Sequence, residues 1–184
     1  MRAFLALDPP DPVRDALVGM QEGLPLGRPV PRDNLHLTLV FLEDQPQAAL
    51  LALDEALQGL ARPQLRLRLT GPGVFGRARV IAAGVAPDPG LVALHSRLRG
   101  LCHGAGITLP RTRFRPHVTI ARLPPRIVPE AEAALARWLA ARAGFGAPDW
   151  LADRVTLFRS TLTPDGARHE ALAAYPPPAG EETG

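Results

Sequence analysis

Two short segments carry the side chains best suited to chemistry. They are Leu35-His36-Leu37-Thr38-Leu39-Val40 and, 81 residues later, Pro116-His117-Val118-Thr119-Ile120-Ala121. Histidine gains or loses its proton near neutrality. A pair held in opposite protonation states supplies a general base on one side of a substrate and a general acid on the other. In-line displacement at phosphorus needs that layout, because the nucleophile and the leaving oxygen sit on opposite faces. The hydroxyls of Thr38 and Thr119 would donate to non-bridging phosphate oxygens. Arg122, five residues after His117, would add charge-assisted hydrogen bonds to the same group. One histidine on a half-exposed strand is unremarkable. With 5 histidines and 9 threonines in the chain, His-x-Thr arising twice by composition is about a 2% event.

Other chemistries fit less well. A zinc hydrolase wants three ligands from His, Asp or Glu, and neither motif has a carboxylate on its polar face. Asp33 and Glu43 flank the first motif, but Arg115 and Arg122 flank the second and would repel a cation. All 21 basic residues are arginines, which excludes Schiff-base lysine chemistry and a P-loop lysine. No G-x-S-x-G elbow is present. Cys102-His103 reads as a buried helix cysteine beside a diverging neighbour, and His95 and His169 read as structural or exposed.

The motifs need strands to present them. A period of two puts His36 and Thr38 on one face, against Leu35, Leu37 and Leu39 on the other; His117 and Thr119 oppose Val118 and Ile120 likewise. Further strands are predicted over 1–7, 34–42, 64–70, 79–85, 115–123, 154–162 and 167–175, the last two as a hairpin through Thr163-Pro164-Asp165-Gly166. Helices are predicted over 11–23, with Asp11 as its cap, and over 46–61, 91–105 and 129–143. The order is α+β with no Gly-rich nucleotide loop. The duplicated motif suggests two lobes related by a pseudo-two-fold, facing each other across a groove.

Composition supports this class. At 184 residues, 46% hydrophobic and 21% charged, the chain suits one compact domain over residues 1–175, with a loose tail at 176–184. It lacks a run long enough to span a membrane, and Asp8-Pro9-Pro10 cuts the first apolar run too early for a secretory signal. One cysteine excludes an internal disulfide and a Cys-based zinc cluster. The expectation is a cytoplasmic monomer, and a formal net charge of +3 is too small to argue a non-specific nucleic-acid coat.

The two His-x-Thr blocks resemble the signature of the 2H phosphoesterase superfamily. Within it, the chain is similar to the RNA 2′,3′-cyclic phosphodiesterases, historically called 2′-5′ RNA ligases. The likeness takes in Arg2-Ala3-Phe4-Leu5-Ala6-Leu7, Asn34 to Leu42, Gly73-Val74-Phe75 with Arg79-Val80, Phe114 to Arg122, Leu157-Phe158-Arg159-Ser160 and Pro164-Asp165-Gly166. The resemblance implies a bilobal α+β fold with antiparallel sheets flanked by helices around a central cleft. It also implies hydrolysis without metal or cofactor, acting on RNA with a 2′,3′-cyclic phosphate end or on a cyclic nucleotide, and leaving a 2′-phosphate. On the matching positions His36 would be proton donor and His117 acceptor, while Thr38, Thr119 and Arg122 would bind phosphate. The family's usual glycine after Phe-Leu is Glu43 here, a tyrosine often seen in the last hairpin strand is His169, and an aromatic common after Arg-Val is absent, with Ile81-Ala82 instead. A non-catalytic RNA-end binding module and a metal-dependent hydrolase on a similar scaffold remain as alternatives.

Overall fold

Strand β1 (Arg2–Leu7) is central because both of its faces are apolar. Ala3, Leu5 and Leu7 join the main core, while Phe4 and Ala6 join a second, smaller cluster with Phe158. In this computed structural model, which describes residues 1–75, 79–164 and 166–177, β1 pairs antiparallel with β3 (Leu37–Asp44) and β9 (Val155–Thr163). Strand β10 (Gly166–Tyr175) folds back on β9. On the other side, β7 (His117–Arg122) meets β3 and passes on to β6 (Val80–Val85) and β5 (Leu69–Phe75). The order is β10-β9-β1-β3-β7-β6-β5, with β2 (Arg28–Pro29) added beside β7.

The predicted α+β class and duplicated antiparallel halves are therefore present, but the halves share one continuous sheet instead of forming two. They are joined at one pair, Leu37 with Val118. Helices α1 (Asp11–Met20), α2 (Gln47–Gln58), α3 (Pro89–Gly104) and α4 (Pro129–Ala141) each bury an apolar stripe, as Val13, Leu17 and Met20 do on α1 and Leu91, Leu94, Leu98 and Cys102 on α3. No helix among the described residues is long and apolar enough to cross a membrane.

Local differences from the sequence reading have local causes. Asp11 does not cap α1: the helix begins at Asp11 itself, after Pro10, and the Asp11 carboxylate accepts from Arg32 at 2.8 Å. The strand predicted over 64–70 divides. Leu65–Leu67 (β4) pairs with the unpredicted β8 (Trp150–Ala152), and the chain from Leu69 enters the main sheet as β5. β5 runs on through Gly71-Pro72-Gly73, which reads as punctuation, because a register slip between Leu69 and Pro72 accommodates a residue with no N–H to give. Asp165, in the expected hairpin turn, and residues 178–184 of the expected tail lie outside the described residues.

Glu43 shows why glycine suits its position. It sits at φ 58°, beside a register slip between β1 and β3. A left-handed non-glycine residue costs about 1–2 kcal/mol, and the 3.7 Å contact of Glu43 with Arg2 is too exposed to repay much of that. After allowing for glycine's greater unfolded-state entropy, Glu43→Gly should stabilise the fold by about 0.5–1 kcal/mol, measured by chemical denaturation. An unchanged or lower midpoint would mean that the Glu43 backbone is not strained.

Candidate active site

The two motif strands carry the same irregularity in the same place. Ala6 lies opposite Thr38 and Ala82 opposite Thr119. One residue later the register slips in both halves, so that Leu5 faces Val40 and Ile81 faces Ala121. Leu39 and Ile120 are the extra residues of matching β-bulges, and both are buried. A bulge turns the residues beyond it onto the other face. Strict alternation would place the residue five beyond each histidine on the core side; the bulges return it to the histidine side. In the first half that residue is Phe41, paired with Phe4, whose ring centroid lies 4.7 Å from that of His36. In the second half it is Arg122. The stranded Ile120 carbonyl is satisfied by Val30 N–H at 2.8 Å and by Gln21 Nε2 at 2.9 Å.

Each histidine is fixed in the same way. His36 Nδ1 stands 2.7 Å from the Asn34 carbonyl and His117 Nδ1 2.7 Å from the Arg115 carbonyl, each two residues upstream. A carbonyl only accepts, so Nδ1 carries the proton in both rings, and Nε2 is the atom left free to exchange one. The turn before His36 is held by Arg14, which donates to the carbonyls of Pro9 (2.8 Å), Arg32 (3.0 Å) and Leu35 (3.1 Å) and to Asp8 Oδ1 (2.8 Å). Asn34 Nδ2 ties the same turn to the Ala167 carbonyl on β10 at 2.7 Å.

Extended one residue either way from the single pair Leu37–Val118, the antiparallel register sets His36 toward Thr119 and Thr38 toward His117. All four project from the face opposite the core pair. The histidines thus occupy opposite corners of a quadrilateral, with the threonines at the other two. In a regular ladder such diagonal neighbours lie about 7–8 Å apart, which leaves room for a tetrahedral anion between them.

The surroundings of the two rings differ. His117 stacks on Phe75 at 4.5 Å. His36 is packed among Phe4, Phe158 (6.2 Å) and His169 (5.1 Å, edge-on at 89°). Burial, chiefly, with the positive charges of His169, Arg14 and Arg122, outweighs the Asn34 hydrogen bond and lowers the His36 pKa to about 4. Burial and Arg122 also lower that of His169. Arg122 is therefore in electrostatic reach of the His36 and His169 rings. All five sequence-predicted residues, His36, His117, Thr38, Thr119 and Arg122, share one face.

The sequence reads His169 as structural or exposed, yet it belongs to this face. Its Nδ1 is buried with no hydrogen-bond partner among the described residues. The pairing of Ala171 with Phe158 and of His169 with Ser160 is what carries it there, and nothing local in the sequence signals that. Replacing His169 with Gln removes the charge facing His36. The His36 midpoint in a ring-proton NMR titration should then rise from about 4 toward the ordinary histidine value. A fixed midpoint would assign the whole depression to burial and the two arginines.

The remaining candidates lie elsewhere. His95 stacks on Phe114 at 3.9 Å, and Cys102 is fully buried with its thiol pushed up to about 11, so it is no nucleophile. A groove of about 580 Å³ lined by Asp8, Arg154, Thr156 and Ala171 contains none of the motif residues.

Comparison with known proteins agrees with this geometry. An RNA 2′,3′-cyclic phosphodiesterase of Thermus thermophilus is 34% identical over 193 residues, covering 95% of this chain and 89% of that protein. One of Geobacillus stearothermophilus is 32% identical over 160 residues, covering 83% of this chain but only 48% of that protein, so the chain spans about half the length of that relative. Escherichia coli LigT complexed with 3′-AMP superposes with a TM-score of 0.76 at 26% identity, covering 95% of this chain and 96% of that one. The sequence pattern of the 2′-5′ RNA ligase superfamily matches residues 9–163, and the chain belongs to that superfamily.

Proposed function

We propose that this face opens RNA 2′,3′-cyclic phosphate ends to a 2′-phosphate and a free 3′-hydroxyl by metal-independent acid–base catalysis. The observation that carries the reading is the matched pair of histidines at opposite corners, each with Nδ1–H committed to a carbonyl and Nε2 free. The names of the relatives supply the substrate class, and the 3′-AMP bound by E. coli LigT is a ligand of related chemistry. The phosphate would lie between the corners. His117 Nε2 takes a proton from water as its oxygen bonds to phosphorus; the bond from phosphorus to the 3′-oxygen breaks, and that oxygen takes a proton from His36 Nε2. Thr38 and Thr119 donate to the non-bridging oxygens, and the Arg122 fork fixes the phosphate's rotation.

His36 as donor must hold a proton that the free face disfavours. The anionic cyclic phosphate offsets the positive charges of Arg122 and Arg14, and so raises the His36 pKa on binding. The same depression favours a second reading, in which His36, neutral down to about pH 4, is the base and His117 the acid. The pseudo-two-fold makes both arrangements geometrically accessible.

The deciding experiment digests an oligonucleotide with a 2′,3′-cyclic phosphate end, with and without EDTA, and separates the products by phosphorus NMR. The expected product is the 2′-phosphate at equal rates in both buffers. An intact substrate would mark a binding module, loss of turnover in EDTA a metal enzyme, and a 3′-phosphate product a different leaving oxygen.

A further inference from the structure

We propose that Arg28 binds the phosphodiester immediately upstream of the cyclic end, so that the face is built for a polynucleotide terminus in preference to a free cyclic mononucleotide. The inference rests on the phosphodiesterase reading of the histidine face. Arg28 and Pro29 form a strand of only two residues, paired with Arg122 and Ala121. The register sets Arg28 directly across from Arg122, on the same face of the sheet. Like charges so placed destabilise a sheet. Among the described residues no carboxylate lies within 4.0 Å of either guanidinium.

The strand that creates this opposition is nonetheless firmly held. Gln21 Nε2 donates to the Val30 carbonyl at 2.8 Å and the Ile120 carbonyl at 2.9 Å, bridging the two chains just beyond Arg28. Gly27 adopts φ +103°, and a Cβ added there would stand 2.9 Å from the Arg122 carbonyl oxygen. Only glycine lets the chain approach β7 so closely at that point. A docking that forces cations together, with no acid to relieve them, is relieved by an anion. Along β7, Arg122 is three residues from Thr119, about 10 Å of strand. If Arg122 reaches back to the reacting phosphate, Arg28 is left for the next one along the polymer, where its fork can bind two oxygens at once.

The test compares wild type, Arg28→Gln and the exposed helix variant Arg137→Gln, which makes the same change in net charge away from the face. The kcat/KM for a cyclic-phosphate tetranucleotide is divided by that for a cyclic mononucleotide. Binding of a 2′-phosphate-ended tetranucleotide is tracked by fluorescence anisotropy across a salt series. Arg28→Gln should lower the kcat/KM ratio about 5–10-fold, and should flatten the salt slope of binding by about 0.7, the share of one phosphate contact on a single strand. Arg137→Gln should change neither. Equal losses on both substrates, or an unchanged slope, would overturn the proposal. If wild type hydrolysed neither substrate, the phosphodiesterase reading would fail, while the anisotropy series would still decide whether Arg28 contacts the polymer.

Discussion

His36→Ala and His117→Ala should each lower kcat on a cyclic-phosphate end by about 10²–10⁴-fold, the usual worth of one general acid or base. The double variant should be little worse than either single one, because acid and base serve one displacement and losing one idles the other. The fold should survive. Both rings project from the face away from the Leu37–Val118 core pair, although His36→Ala should lower the thermal midpoint somewhat by leaving a gap beside Phe4. The two variants differ in what rescues them. A substrate such as bis(4-nitrophenyl) phosphate leaves without needing a proton, so the acid becomes dispensable while the base does not. With His36 as the acid, His36→Ala keeps a much larger share of wild-type activity on that ester than His117→Ala does. The reverse pattern would exchange the roles, in line with the low His36 pKa. Near-native kcat in either single variant would end the two-histidine mechanism.

The sequence makes the motif residues legible because a strand's period of two is a local property: His36, Thr38, His117 and Thr119 are sorted from their aliphatic neighbours by alternation alone. It cannot say how the motif strands meet. That depends on the register at Leu37 and Val118, which only the folded sheet sets. Arg122 lies on the histidine face for a reason alternation does not supply, since alternation points it to the core and the bulge at Ile120 turns it back. Bulges leave no simple residue signature here, because Leu39-Val40 and Ile120-Ala121 look like ordinary strand. His169 arrives through a pairing between β9 and β10, far along the chain from the His36 ring it meets edge-on. The two-residue β2 and three-residue β8 are too short for any periodicity. Glu43 departs from a glycine expected by resemblance, and its positive φ explains why glycine belongs there.

Arg122→Ala should lower kcat/KM by about 10–100-fold. A hydrogen bond to a charged group is worth about 1.5–3 kcal/mol, and each 1.4 kcal/mol is about tenfold. Arg122→Lys should recover only part of the loss, since an ammonium supplies charge without the planar fork that fixes the phosphate's rotation. The same substitution should also move the pH profile, in a direction that the charges dictate. The pair is productive with one proton, and a second proton abolishes the base whichever histidine serves as one, so kcat/KM falls on the acid side with the free-enzyme constant of the pair. His36 takes up its proton only near pH 4, because burial disfavours the imidazolium and His169, Arg14 and Arg122 repel it. Removing Arg122 removes one of those positive charges, so His36 protonates at a higher pH and the acid limb rises. Arg122→Lys keeps the charge, so it should leave the limb close to wild type while still losing rate. That separation is the test. A rate loss with the limb unmoved in Arg122→Ala would make Arg122 a phosphate contact with no hold on His36, and equal limb shifts in the Ala and Lys variants would trace the effect to repacking of the face.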